Sequence, residues 1–465
     1  MDPHQKPRAR FAVPGQFVAN LLILLLLLCV SGVSALAADR PHIVFILADD
    51  MGVGDTSSYG GKIVATPQLE RFAREGTRFT QYYAASPICS PSRCGLITGN
   101  FPSRWNITSF LQTRAGNRDC EQADFLDPNC PSLPRVLKEA GYTTAHIGKW
   151  HLGGGRDVVS PPKFAAYGYD LGLGTYESPE PAAALGLKTT PWGKEREPQQ
   201  VPRYDRTRWM VDQAIDFLQK HGEQPCFINL WFDDTHTPWV PAGGDDANET
   251  SRPNLVKVIV EMDRQIGRLM DSVPPNTLLL FASDNGALPT FKRERNNGLR
   301  GSKLSLYEGG IRLPFMARWA GHVPAGEVDE STLIHAVDML PTLASIARAK
   351  LPAGYDGDGV DISAALLGSP IVRTKPLFWE YGRNEVGFKF PGAPADRSPN
   401  VAMREGNWKL LVNADGTGTE LYQILTDPKE TQNLADTQTE VTTKMKAAAL
   451  AWRAAQPKVS VPQAQ

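Results

Sequence analysis

An α/β protein is predicted, with a large, mainly parallel or mixed sheet sandwiched by helices and a smaller C-terminal α+β subdomain containing an antiparallel sheet. Three observations predict it. Four short apolar runs, rich in β-branched residues, each end abruptly in charged or chelating residues. Amphipathic stretches of helical period separate them. After about Leu351 the texture changes to a Gly/Asp-rich connection, "LPAGYDGDGVDISAALLG", and then to short strand-like pieces. Apolar strands alternating with helices imply a sheet covered on both faces.

The N-terminus comes first. Lys6, Arg8 and Arg10 precede the apolar run Leu21–Val30, and Ala35 and Ala37 follow in an A-x-A arrangement. Basic, apolar and small-residue regions in that order read as a secretory signal peptide over residues 1–37, cleaved near Ala37 or Ala38. The run is short for a stable membrane span. The expectation is an exported protein, periplasmic or secreted, and lysosomal in a eukaryotic host.

The four strands are read in "PHIVFILADD", "GYTTAHIGKWH", "CFINLWFDDTH" and "NTLLLFASDNG". Helices are expected over Leu69–Glu75, Leu133–Ala140, Thr207–Lys220 and Leu255–Ser272. The C-terminal pieces "PLFWEY", "VAMREGNWKLLV" and "TELYQILT" read as strands, and Val441–Ala454 as a final helix.

With 49 basic and 50 acidic residues the chain has a net charge of -1, without the basic surplus of a nucleic-acid binder. Cys29 leaves with the signal, so Cys89, Cys94, Cys120, Cys130 and Cys226 remain. An odd number in an oxidising compartment marks one cysteine as special. Cys120 and Cys130 bracket a short loop and are the expected disulfide.

In open α/β sheets, ligands bind outside the carboxyl ends of the strands, so residues far apart in sequence share one rim. Asp49, Asp50, Asp284 and Asn285 offer only oxygens, which suit a hard cation; Ca²⁺ is favoured because it tolerates irregular geometry. Arg93, Lys149 and Lys303 add positive charge, with His151 and His236 as titratable groups. A divalent cation beside fixed cations suits a compact anionic ester, sulfate or phosphate.

Here a family resemblance enters. "CSPSR" (Cys89–Arg93) followed by "GLITGN" resembles the sulfatase signature C-x-P-S-R…L-T-G. "GYTTAHIGKWH" (Gly141–His151) resembles the second signature of that family. "ILADD", "SDNG", "GSKLSLYEGGIRLP", "DMLPTLASIA" and "REGNWKLL" also fit, in family order from about Arg40 to Leu434. The overall layout looks most like arylsulfatase A and N-acetylgalactosamine-6-sulfatase relatives. The resemblance implies an alkaline-phosphatase-like catalytic domain over 38–355 and a smaller subdomain over 356–465.

It further implies that Cys89 is converted to Cα-formylglycine by a formylglycine-generating or equivalent maturation enzyme. One hydroxyl of the hydrated aldehyde attacks sulfur and expels the alcohol; the other then loses its proton and expels sulfate. Carried over by position, Asp49, Asp50, Asp284, Asn285 and modified Cys89 would hold one Ca²⁺. Arg93 would orient the diol, and Lys149 and Lys303 would bind sulfate oxygens. His151 would act as base in the release step, and His236 would protonate the leaving oxygen. Cys94 departs from the pattern, at a position where the family has a small residue without a thiol; it reads as a buried small hydrophobe.

The implied substrate is a sulfated carbohydrate or an aryl sulfate. A phosphoester hydrolase of the same superfamily and a silent glycan-binding relative are the competing readings. The nearly complete motif set argues against the first, and the filled nucleophile, base and metal positions against the second. Candidate pocket linings are Gly154–Pro202, Phe291–Arg300 and Arg383–Pro399, with Tyr167, Tyr169, Trp192, Lys292, Arg293 and Arg295. Asn106 and Asn248 open glycosylation sequons.

Overall fold

The computed structural model describes residues 40–185, 201–243, 249–387 and 393–457. The signal peptide, Trp192 and the sequon residue Asn248 lie outside the described residues. Among the described residues, no helix is long and apolar enough to cross a membrane.

The strands of the main sheet are β1 (His42–Ala48), β2 (Thr77–Tyr83), β3 (Thr143–Gly148), β4 (Leu171–Gly174), β5 (Cys226–Trp231), β6 (Thr277–Ser283), β7 (Arg312–Arg318), β8 (Glu327–Asp329) and β9 (Ile334–His335). They lie in the order β4-β3-β5-β1-β6-β7-β2-β8, with β9 against β2. From β4 to β6 every pairing is parallel. β7 runs antiparallel to both β6 and β2, which makes the sheet mixed.

Side chains alternate across a strand, and β1 uses both faces. Ile43, Phe45 and Leu47 point into a layer with Leu96, Leu133, Leu137 and Leu340. Val44, Ile46 and Ala48 point into another with Phe72, Met210, Ala214, Met262 and Ile266. The first layer contains the helices Cys89–Thr98, Leu133–Glu139 and Met339–Ile346; the second contains Pro67–Glu75, Arg206–His221 and Arg252–Ser272. Double coverage is why the strand reads as an unbroken apolar run.

Leu133–Glu139 starts where its apolar pattern does, and the other expected helices start one to three residues earlier, on a mostly polar first turn. Ser251 caps Arg252–Ser272 by accepting a hydrogen bond from the Asn254 N–H.

A second sheet, β10 (Leu377–Glu380), β11 (Val401–Glu405), β12 (Trp408–Val412) and β13 (Glu420–Gln423), is wholly antiparallel. One face packs on the helix Thr439–Ala455 through Val401, Met403, Leu410 and Met445. The other, through Trp379, Ala402 and Leu411, packs on Tyr83, Ile88 and Cys89. At this junction buried Lys409 bridges Glu308 (2.8 Å) and Glu430 (2.9 Å). The C-terminal sheet thus supports the segment that carries Cys89.

The expected Cys120–Cys130 disulfide is not formed. Cys130 is a thiol in the main core, in the same cluster as Cys94. The Cys120 sulfur instead accepts from the Gln112 side-chain amide at 3.4 Å. A short connecting loop does not by itself supply the Cβ separation and orientation that a disulfide needs. Cys94 is fully buried and unbridged to Cys89. Alkylation of denatured, unreduced protein is therefore expected to label both Cys94 and Cys130; a cross-linked peptide containing either residue would contradict this.

Candidate active site

β3, β5, β1 and β6 are neighbours and run parallel. Their C-terminal ends meet at one edge, roughly 5 Å apart from strand to strand. That order brings Lys149 and His151, then His236, then Asp49 and Asp50, then Asp284 and Asn285, to one rim. Gly148, at φ +111, lets the chain leave β3; a Cβ there would sit 1.8 Å from the Trp231 carbonyl oxygen. Asp50 takes the left-handed conformation (φ 58), which a short polar side chain tolerates.

Cys89 opens the helix Cys89–Thr98, whose ten residues are all buried. Pro91 fits the first turn, where a missing N–H costs little, and Gly99 ends the helix at φ 66. Arg93 lies one turn beyond Cys89. With every side buried, the segment lacks the amphipathic stripe that marks a helix in sequence. The N-terminal end of the helix also favours negative charge at position 89.

The Cys89 sulfur lies 3.7 Å from Asp49 Oδ1, 3.4 Å from Lys149 Nζ and 3.6 Å from Lys303 Nζ. Lys149 pairs with Asp49 at 2.6 Å and Lys303 with Asp50 at 2.7 Å. Arg93 donates from Nε and Nη2 to Asp284 Oδ2 at 2.9 and 2.7 Å, and from Nη1 to the Lys149 carbonyl at 2.7 Å. Three carboxylates thus face three fixed cations.

Burial pushes the Cys89 thiol up to about 12, against the pull of Lys149 and Lys303. It is therefore a neutral thiol and a poor nucleophile as written. Burial alone would raise the Asp50 carboxyl, but Lys303, His236 and Lys149 together bring it below the carboxylate range. Burial raises Asp284, partly offset by Arg93. Burial, then Lys149 and Arg93, keep His151 neutral. His236 falls to about 3 through burial and then Lys303. Its Nδ1 donates to the Thr237 carbonyl at 2.6 Å, and its Nε2 lies 3.6 Å from Asp50.

The donor set fits a hard cation. Asn285 Nδ2 donates to Asp50 Oδ1 at 2.7 Å, while buried Asn285 Oδ1 has no hydrogen-bond partner. A buried amide oxygen left bare beside carboxylates suits a metal ligand. Asp49, Asp50, Cys89 and His236 present ligand atoms within 4.8 Å of one another. Asp284 stands beside this group, with Oδ2 on Arg93 and Oδ1 on the Asp50 N–H at 3.1 Å.

Several neighbours face elsewhere. Asp233 holds Thr175 (2.6 Å), and Asp234 pairs with Arg203 (2.7 Å). His146 is buried among Trp150, Phe164, Tyr169 and Trp231. Tyr167 and Tyr169, expected at the pocket, are core residues: Tyr167 donates to the Leu126 carbonyl at 2.6 Å, and Tyr169 accepts from Asn229 at 2.6 Å. Arg295, also expected there, is fully buried on Asp55 (2.8 Å) and the Asp50 carbonyl (2.9 Å). Aromatic and basic residue types mark a sugar pocket only when exposed. Lys292 is exposed, and Arg293 pairs with Asp396. The sequence reading gave no role to Glu177, which the fold places beside His151.

A mixed sheet covered on both faces, with a separate small antiparallel sheet and a charged rim around Cys89, is the alkaline-phosphatase-like fold. Within it the chain belongs to the sulfatase family, whose model matches residues 41–349. The N-sulphoglucosamine sulphohydrolase C-terminal model matches 302–454. An N-acetylgalactosamine-6-O-sulfatase of Bacteroides thetaiotaomicron is 28% identical over 87% of this chain and 91% of its own. The N-acetylgalactosamine-6-sulfatase of Rattus norvegicus is 32% identical over 77% and 72%, and human arylsulfatase A is 30% identical over 85% and 84%. The crystal structure of Ps i-CgsB in complex with k-i-k-neocarrahexaose superposes with a TM-score of 0.72 at 25% identity, covering 91% of this chain and 94% of that one.

Proposed function

We propose that this sulfatase removes sulfate from a sulfated carbohydrate through a formylglycine made from Cys89, with a covalent sulfo-enzyme intermediate. The observation that carries this reading is the placement of Cys89: a neutral thiol at a helix start, within 3.7 Å of a carboxylate and two ammonium groups. Those surroundings suit an anionic oxygen better than sulfur. The substrate class is supported by a relative named N-acetylgalactosamine-6-O-sulfatase and by the neocarrahexaose-bound neighbour. Export to the periplasm or cell exterior, and a maturation enzyme that modifies Cys89, belong to the same proposal.

Asp49, Asp50, Asp284 and Asn285 would hold Ca²⁺, which supplies charge to polarise the sulfate ester and favour ionisation of the residue 89 oxygen. Lys149 and Lys303 bind sulfate oxygens, and Arg93 holds Asp284 in place. His236 protonates the leaving oxygen. Free His236 is neutral, so this role requires the anionic substrate to raise its pKa.

Mass spectrometry of the Cys89 peptide, with turnover of aryl sulfate against aryl phosphate, tests the reading. An unmodified thiol in active protein, or preference for phosphate, would overturn it. His236→Ala is expected to slow a sugar sulfate by about 10²–10⁴-fold but a nitrophenyl sulfate far less, because nitrophenolate leaves without a proton. Equal losses on both substrates would remove His236 from the acid role.

A further inference from the structure

Glu177 follows β4 and enters no step above. Its side chain is 3% exposed. Oε1 accepts from Arg156 Nε at 3.0 Å. Oε2 is buried without a hydrogen-bond partner and lies 3.9 Å from His151 Nε2. Glu177, His151 and Arg156 all adopt positive φ, at 40, 53 and 51. Strained backbone at three interacting residues persists where the surrounding fold enforces it, commonly at functional sites.

The histidine has a defined polarity. His151 Nε2 lies 3.2 Å from the Leu111 carbonyl, which can only accept. In the neutral ring Nε2 therefore carries the hydrogen and Nδ1 the lone pair. Nδ1 is buried and has no hydrogen-bond partner. The arrangement is a base with its open nitrogen on one side and a carboxylate behind the other.

We propose that Glu177 is a positioning residue for sulfate release, reinforcing the Nε2–H tautomer of His151 that the Leu111 carbonyl selects and stabilising the imidazolium that forms when Nδ1 takes a proton. The proposal rests on the formylglycine reading of Cys89. In the release step, Nδ1 takes the proton of the free hydroxyl on residue 89. The O–H electron pair becomes the second C–O bond of the aldehyde. The carbon–oxygen bond to sulfate breaks, and its electrons leave with sulfate. The imidazolium then returns its proton to water. The carboxylate acts through His151 and touches no reacting atom, as in other carboxylate–histidine pairs.

Glu177→Gln tests it. The amide oxygen can keep the Arg156 contact, which turns the NH₂ toward Nε2 and opposes the Nε2–H tautomer, shifting the ring toward Nδ1–H against the Leu111 carbonyl. Expected are a kcat lower by about 10- to 100-fold with KM little changed, and ¹⁵N shifts of the His151 ring reporting the tautomer change. A kcat within threefold of wild type, or an unchanged tautomer, overturns the proposal. Should Glu177→Gln not fold, Arg156→Met leaves the carboxylate uncompensated beside His151, and the acid limb of kcat should move up by about one pH unit. An unmoved limb counts against the pairing. The ring tautomer is read without turnover, so a wild-type protein inactive on every sulfate ester would remove the formylglycine reading while the His151–Glu177 link stayed measurable.

Discussion

Cys89→Ala is expected to lower sulfate-ester hydrolysis by about 10⁴-fold or more while the protein still folds. The loss is large because no other group in the rim is placed to form the covalent ester: Lys149 and Lys303 are held by Asp49 and Asp50, and His151 Nε2 faces the Leu111 carbonyl and Glu177. The fold should survive because the lysines keep those carboxylate partners when the sulfur is removed. Truncating one buried sulfur costs about 1 kcal/mol or somewhat more. Initial rates on an aryl sulfate and a thermal melt check both halves. Activity within tenfold of wild type would exclude residue 89 as nucleophile.

Asp284→Asn should have the next largest effect, on stability and activity together. Arg93 is fully buried, and Asp284 is its close anionic partner; Asp49 lies at 3.7 Å. Removing that charge leaves a buried guanidinium facing only the more distant Asp49, which Lys149 already engages, at about 3–5 kcal/mol. It also deletes a proposed metal ligand, so Ca²⁺ affinity falls with it. Asp205→Asn is the comparison: its partner Arg208 is 44% exposed, and such surface pairs contribute about 1 kcal/mol or less. Denaturant melts of the two variants, with calcium titration of the first, decide it. Equal stability losses would show that the Arg93–Asp284 pair is not buried as described.

Much of this site was legible before folding. "FILADD" and "FASDNG" mark strands that finish in oxygen donors, because a strand covered on both faces must be apolar until it emerges. The spacing of Cys89, Pro91 and Arg93 carries the family signature. Other features had no local signature. The helix starting at Cys89 is buried on all sides and shows no period. Tyr167 and Tyr169 have the composition of a sugar pocket but pack in the core, and Cys130 is a core thiol. Glu177 became visible only through His151, 26 positions earlier in the chain.

The sequence by itself determined the alternation of strands and helices, the polar residues that end the strands and the family signature at Cys89. Tertiary structure alone decided which ends meet. Lys149 reaches Asp49 across 100 residues, and Lys303 reaches Asp50 across 253. Hydrophobic period is a property of neighbouring residues, whereas strand order depends on how whole helices pack over the sheet. Putting β1 between β5 and β6 turns four separate polar endings, with the helix-borne Cys89 among them, into one charged site.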